Sequence, residues 1–163
     1  MRTASPTDLP AIVRLLDQCF TPSRYASRLV SALVERERPL HHWVVEDAHG
    51  LLAYVAYTRA LREHTTIGFH LAPVAVRPDR QRRGYGTDLL KRTLRTPPIA
   101  GSAIFVLGEP SYYQRFGFEP VSNPTCPFDP GNKHFMAMNY KGGDTFTVGY
   151  EPEFSEVTET SAD

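Results

Sequence analysis

Residues 74–86 read Val74-Ala75-Val76-Arg77-Pro78-Asp79-Arg80-Gln81-Arg82-Arg83-Gly84-Tyr85-Gly86, an apolar strand end running through closely spaced arginines into two glycines. Downstream, Leu89, Leu90 and Leu94 recur at helical spacing, which predicts a helix from Gly84 to Arg95. A strand, a glycine-punctuated turn and a helix start make a site for an anion. Glycine lets the main chain approach closely, the first helical turn has unpaired N–H groups, and Arg77, Arg80, Arg82 and Arg83 add positive potential. A basic turn capping a surface helix would carry the same arginines, so the setting between strand and helix is what favours a ligand. The stretch lacks the Gly-Lys-Ser/Thr ending of a nucleoside triphosphate loop and the third glycine of a dinucleotide site, which points to a different phosphate-bearing ligand.

Working outward, Ser5 or Thr7 caps a helix from about Asp8 to Phe20, and Ser23 a second one ending before Pro39. Trp43-Val44-Val45 and Leu51 to Thr58 read as strands around the turn Asp47-Ala48-His49-Gly50, with Arg59, Arg62, Glu63 and His64 in the following connection. Ile67 to Val76 is apolar but contains Gly68 and Pro73, so it should bulge or bend. A strand at Ala103 to Leu107, a short helix from Pro110 to Phe116 and a return strand near Phe118 follow. Residues 120–132 carry four prolines and read as a loop. His134 to Tyr140 alternates as a strand, Gly142-Gly143 turns the chain, and the segment toward Tyr150 is read as an edge strand. Mixed helices and strands around one largely antiparallel sheet give an α+β or three-layer α/β domain over residues 1–155, with an acidic, frayed tail at 156–163.

With 163 residues the chain is the size of one domain and buries roughly 70% of its unfolded surface. Eighteen basic and eighteen acidic residues cancel, so no global field favours nucleic acid or an anionic membrane. Positive charge is instead local, between Arg77 and Arg95, whereas Glu151, Glu153, Glu156, Glu159 and Asp163 have no basic neighbours in sequence. No apolar run is long enough to span a bilayer, and the N-terminus has no signal core, which makes the cytoplasm the expected compartment. Cys19 and Cys126 are too few for a disulfide framework or a zinc site, and no histidines stand at metal-ligand spacing. Cys19 falls on the apolar stripe of Ile12, Leu15 and Leu16 and reads as a small buried side chain.

Gln81-Arg82-Arg83-Gly84-Tyr85-Gly86 resembles the Gln/Arg-x-x-Gly-x-Gly/Ala signature of the GNAT superfamily of N-acetyltransferases. A second, ordered match lies at Leu107-Gly108-Glu109-Pro110-Ser111-Tyr112-Tyr113-Gln114-Arg115-Phe116-Gly117-Phe118, which resembles the Leu-Gly-x-Pro-x-Tyr-Tyr-x-Arg-Phe-Gly-Phe element of a bacterial branch of that superfamily. The resemblance implies an acyl-CoA N-acyltransferase fold, a central mixed and mostly antiparallel sheet flanked by helices. The strands ending at Val76 and Leu107 would splay apart there to admit coenzyme A.

The resemblance also implies a donor site and an activity. Acetyl-CoA would be the cosubstrate, with no metal, and the backbone of Val74 and Val76 would pair with its pantetheine arm. Gln81, Arg82, Arg83, Gly84, Gly86 and Thr87 would receive the pyrophosphate, and Tyr113 would meet the sulfur end. Tyr113 would act as general acid, with Tyr112 as competitor. For the general base His70 is the first candidate and Glu63 the alternative, each preceding or lying on the strand into Val74-Ala75-Val76, and a buried sheet histidine is an equal reading of His70. Leu107-Gly108-Glu109 departs from members that place Asn or Asp after the second splayed strand, which removes one side-chain contact to the coenzyme. The acceptor would be a primary amine of a small molecule or a protein, and a homodimer is expected from the superfamily. A catalytically idle acyl-CoA-binding or regulatory module is the alternative function.

Overall fold

The computed structural model describes residues 1–157. Arg2–Thr3 (β1) is followed by a 3₁₀ turn and helices Leu9–Phe20 (α1) and Tyr25–Glu35 (α2). Three long strands come next, Leu40–Asp47 (β2), Gly50–Arg62 (β3) and Thr65–Val76 (β4). The rest is Tyr85–Thr93 (α3), Ile104–Leu107 (β5), Pro110–Tyr113 (α4), Glu119–Pro120 (β6), Phe135–Met138 (β7) and Glu153–Glu156 (α5). All seven strands form one sheet in the order β1-β2-β3-β4-β5-β7-β6. Every neighbouring pair is antiparallel except β4 and β5.

Helices cover the sheet because alternate strand residues are apolar on both faces. Ile12, Leu15 and Leu16 of α1 and Ala26 and Val30 of α2 pack on Val44, Tyr54, Ala56 and Ala75. On the opposite face Leu89 and Leu90 of α3 meet Ala53, Val55, Tyr57, Leu71 and Val106. Each such leucine, fully buried, contributes roughly 2 kcal/mol. Farther along, β7 and the loops around it enclose Phe105, Cys126, Phe135 and Val148.

Both expected irregularities of β4 occur. Val55 pairs with Val74 but Tyr57 pairs with Leu71, so Ala72 and Pro73 together oppose Ala56. A second offset lies beside Gly68, where a Cβ would sit 2.2 Å from the carbonyl oxygen of Ala103. That close approach is how β5 joins β4, through the Phe69 N–H donating to Ala103 O at 2.9 Å. Parallel pairing lasts only over Phe69 with Ile104 and His70 with Phe105. Past the proline bulge β4 leaves β5, and the two strand ends stand apart.

Two expectations are corrected. Strand β3 runs on to Arg62, so the Arg59–His64 connection is mostly strand closed by a tight hairpin. Residues 144–150 form no regular strand among the described residues, only the isolated bridges Thr125 with Thr147 and Leu61 with Gly149. Glu153–Glu156 is helical and its acids are paired, and of the acidic tail expected to fray at 156–163, residues 158–163 lie outside the described residues. Glu151 is 1% exposed and receives two hydrogen bonds from Arg59, at 2.8 and 2.9 Å. Glu153, fully buried, accepts from Arg36 at 2.8 Å and Arg38 at 3.0 Å. Burial opposes ionisation of Glu153, and the hydrogen bonds from the two guanidiniums outweigh it, holding the carboxyl below its usual range.

Candidate active site

The ladder geometry decides which backbone groups line the split. The Arg77 N–H donates to Leu52 O at 2.8 Å, and antiparallel pairs alternate, so the pairs Val76 with Ala53 and Val74 with Val55 are the non-bonded ones. Val74 and Val76 therefore turn their N–H and C=O groups away from β3, into the opening between β4 and β5. The Val76 carbonyl is already used: Gln81 Nε2 donates to it at 2.9 Å and the Cys19 thiol at 3.1 Å. Gln81 thus shapes the loop that follows the strand. Cys19 is only half-buried and lies on the wall of the groove, and that burial pushes its thiol pKa up.

Gly84 caps α3 with φ +87°, and Arg82 also takes positive φ, +63°. Left-handed residues of this kind make successive N–H groups converge on an anion, here at the positive end of α3. The Gly84 carbonyl accepts from Asp88 N–H, while the N–H groups of Tyr85, Gly86 and Thr87 have no helical acceptor. A cavity of about 400 Å³ lies over this turn, lined by Arg80, Gln81, Arg82, Gly84, Gly86, Thr87, Tyr112 and Arg115 among others. Arg83 is exposed and outside that lining. Arg77 is diverted from the anion site, donating to Asp47 at 2.6 Å and Asp79 at 2.7 Å. Among the described residues no ion pair engages Arg80, Arg82 or Arg83, so their charge stays available.

From this turn a chain of adjoining cavities follows β4. The next, about 240 Å³, shares Val76, Gln81 and Tyr112 with the first and adds Cys19, Phe20 and Val74. It meets a larger one of about 570 Å³ at Phe20 and Val74, between the strand ends, with Leu107 and Tyr113 on the far side. That cavity shares Tyr25, Leu71, Ala72, Leu107 and Phe154 with an inner one of about 320 Å³. Neighbouring cavities with walls in common thus line the way from the basic turn to the inner cavity.

The two tyrosines divide along it. Tyr112 OH lies 3.1 Å from Thr87 Oγ1 and its ring carries the Arg115 guanidinium 4.5 Å from the centroid, so it belongs to the anion turn. Tyr113 faces the 570 Å³ cavity, packed on Gly108, where a Cβ would fall 2.5 Å from its ring. The glycine in place of Asn or Asp after β5 thus makes room for the tyrosine. Burial, with a smaller contribution from Tyr112, pushes the Tyr113 phenol up to about 12, so it is protonated at neutral pH.

The base candidates fare differently. Glu63 is exposed on the turn between β3 and β4, roughly 35 Å of strand from Val74, and is withdrawn from the site. His70 is 2% exposed, its ring stacked on Tyr150 at 3.6 Å between centroids. Its Nε2 lies 3.0 Å from Gly149 O, and because a carbonyl only accepts, Nε2 carries the proton and Nδ1 is the free acceptor, without a partner. Burial lowers its pKa to about 4. It stands on the inner cavity's wall and does not line the cavity at Tyr113.

The cavity walls also include Phe20, Tyr25, Tyr150 and Phe154. No local signal marks them, since they come from α1, α2 and the C-terminal segment and meet only through the fold.

A family model described as an acetyltransferase (GNAT) domain matches residues 1–121. YjhQ, an uncharacterized N-acetyltransferase of Escherichia coli (strain K12), is 33% identical over 100 residues, 58% of this chain, and the match spans 55% of that relative, about half its length. The crystal structure of the GNAT family N-acetyltransferase YhbS from Escherichia coli in complex with CoA has a TM-score of 0.86 at 26% identity, covering 98% of this chain and 93% of that one. A GNAT family acetyltransferase from Brucella melitensis in complex with acetyl-CoA has the same fold, with a TM-score of 0.78 at 24% identity, over 94% of this chain and 96% of that one. Because the family model runs unbroken through the strand, turn and helix that build the groove and on through Tyr113, the chain belongs to the GNAT family of acetyltransferases.

Proposed function

We propose that the chain transfers an acetyl group from acetyl-CoA directly to the nitrogen of a primary amine, on a small molecule or a protein. The observation that carries this reading is the row of adjoining cavities from the Gln81–Thr87 turn, past the outward-facing backbone of Val74 and Val76, to Tyr113. Two structural neighbours bind CoA and acetyl-CoA. The residues here fit that cosubstrate. The turn offers N–H groups and three arginine side chains, Arg80, Arg82 and Arg115, to a pyrophosphate, and Val74 offers an unspent strand edge to the two amides of the arm.

Acetyl-CoA supplies an activated thioester. The amine lone pair attacks its carbonyl carbon, the C–S bond breaks, and the thiolate takes a proton from Tyr113 while the new amide loses its extra proton to solvent. A phenol near 12 is a weak acid against an ordinary thiol, but a thiolate shed into the same half-buried cavity is destabilised by burial too, which brings the two closer. Among the described residues no carboxylate lines the cavity at Tyr113, and His70 is shielded from it. That absence is the observation favouring a second reading, an acyl-CoA-binding module without turnover.

Thiol release from acetyl-CoA with pooled amines separates the two. Transfer is expected in the wild type, and Tyr113→Phe should lower kcat by about 10²-fold or more with the acetyl-CoA KM nearly unchanged. His70→Ala should leave the amine pH profile in place if His70 is a wall. Coenzyme binding without release of thiol in any pool would establish the binding module instead.

A further inference from the structure

The two cavities beyond the split carry a prediction about the acceptor, and it rests on the acetyl-transfer reading above. We infer that the acceptor is a small aromatic amine, an aryl-bearing primary amine with no second charge, which enters as the free base with its ring in the inner cavity. The 570 Å³ and 320 Å³ cavities adjoin, with five wall residues in common, and no residue lining either one is charged at neutral pH. Apart from the Tyr113 hydroxyl and the uncharged Nδ1 of His70, the ring-borne polar groups of these walls have partners within the protein. Tyr25 OH donates to Phe154 O at 2.6 Å, Tyr150 OH pairs with Cys126 Sγ at 3.4 Å, and His70 is neutral with its N–H on Gly149 O. Nearby carboxylates look elsewhere: Glu151 is held by Arg59, and Glu153 by Arg36 and Arg38. An ammonium or a second cationic centre would therefore lose its hydration without gaining a counter-charge.

What the inner cavity offers instead is ring surface. Phe128 stands edge-on to Tyr150 at 4.9 Å, and Tyr150 meets Phe154 at 5.0 Å, giving the faces and edges against which an aromatic ring packs. Its volume lies at the lower end of the roughly 300–1,000 Å³ of small-molecule sites, room for one ring system. Beside Leu71, Ala72 and Leu107 of the strands, this space is walled by α2, the loop at Phe128 and the C-terminal segment, and we take it as the acceptor's, with a long acyl chain as the competing occupant that the hexanoyl-CoA comparison tests.

Thiol release from acetyl-CoA should be measured with 2-phenylethylamine, tryptamine, spermidine and glucosamine, alongside calorimetric titration of acetyl-CoA. The aromatic amines should exceed the other two by about tenfold or more in kcat/KM. Phe128→Ala, at a side chain 45% exposed, should raise the KM for 2-phenylethylamine severalfold and leave that for acetyl-CoA unchanged. Ser23→Asp keeps an acceptor for the Tyr25 N–H while adding a carboxylate to the cavity, and should move the preference toward spermidine. Better turnover of spermidine or glucosamine by the wild type would overturn the inference and leave acetyl transfer standing. So would a preference for hexanoyl-CoA over acetyl-CoA with the Phe128→Ala effect on the donor KM. Failure to bind acetyl-CoA at all would remove the underlying reading as well.

Discussion

Tyr113 holds its place beside the split only because Gly108 has no side chain. An alanine there would place a methyl carbon 2.5 Å from the ring, and the ring must move. Gly108→Ala is expected to cut kcat about tenfold or more with little effect on the acetyl-CoA KM, since a small misplacement of a proton donor costs rate and not donor affinity. The anion turn should respond in the opposite parameter. Gly84→Val strains a backbone at φ +87° whatever space surrounds it, by about 1–2 kcal/mol. A Cβ at Gly86 would stand 3.2 Å from Val76 Cγ2, and the larger valine narrows the groove further. Both variants should raise the acetyl-CoA KM; kinetics like the wild type in both would remove the turn from the donor site. His70 has a separate signature in stability. Its folded pKa of about 4 lies below the ordinary 6.5 of an unfolded histidine, so between those values the unfolded chain binds a proton that the folded one does not. Stability should therefore fall as pH drops from about 6.5 to 4, by ~3 kcal/mol in total, and level off below. In His70→Phe the part of that slope due to the imidazole should vanish, which thermal unfolding at stepped pH would read.

At the scale of elements, β4 carries two opposite demands. Near Gly68 it must let β5 approach, and past Pro73 it must leave it. Gly68→Ala sets a methyl carbon 2.2 Å from the Ala103 carbonyl oxygen, a backbone atom that no side-chain rotation relieves. We expect a loss of about 2–3 kcal/mol or failure to fold, measured by denaturant unfolding. Both demands were legible in advance as a glycine and a proline in an otherwise apolar strand, because a missing Cβ and a missing N–H have local consequences. The short element at Pro110–Tyr113 was legible as a helix, but which of its two tyrosines faces the split was not. That depends on where Thr87 and Gly108 stand in three dimensions.

Across the whole molecule, the acidic C-terminal segment closes the inner cavity and is held down by arginines from elsewhere in the chain. In sequence Glu151 and Glu153 have no basic neighbours, and in the fold Arg59 lies across from one and Arg36 and Arg38 from the other. Removing one partner leaves a buried carboxylate alone. Arg59→Met should cost about 3 kcal/mol, and the double variant Arg59→Met with Glu151→Leu should recover most of it. Equal losses in single and double variants would show that the arginine's packing, and not its charge, secures the strap.

By itself the sequence determined the parts whose chemistry is local. These are the strand, turn and helix around Gly84 and Gly86, the bulge residues of β4, the tyrosine pair after β5, and so the family. The tertiary structure decided everything assembled from distant segments. It set Val74 and Val76 toward the split, gave Tyr112 to the anion turn and Tyr113 to the cavity, stacked His70 on Tyr150 in the inner cavity's wall, and left Glu63 on a far hairpin. It also lined the two adjoining cavities with side chains from α1, α2 and the C-terminal segment. Hydrogen-bond register and ring packing across such separations depend on how the elements dock, and no neighbouring residue in the chain records it.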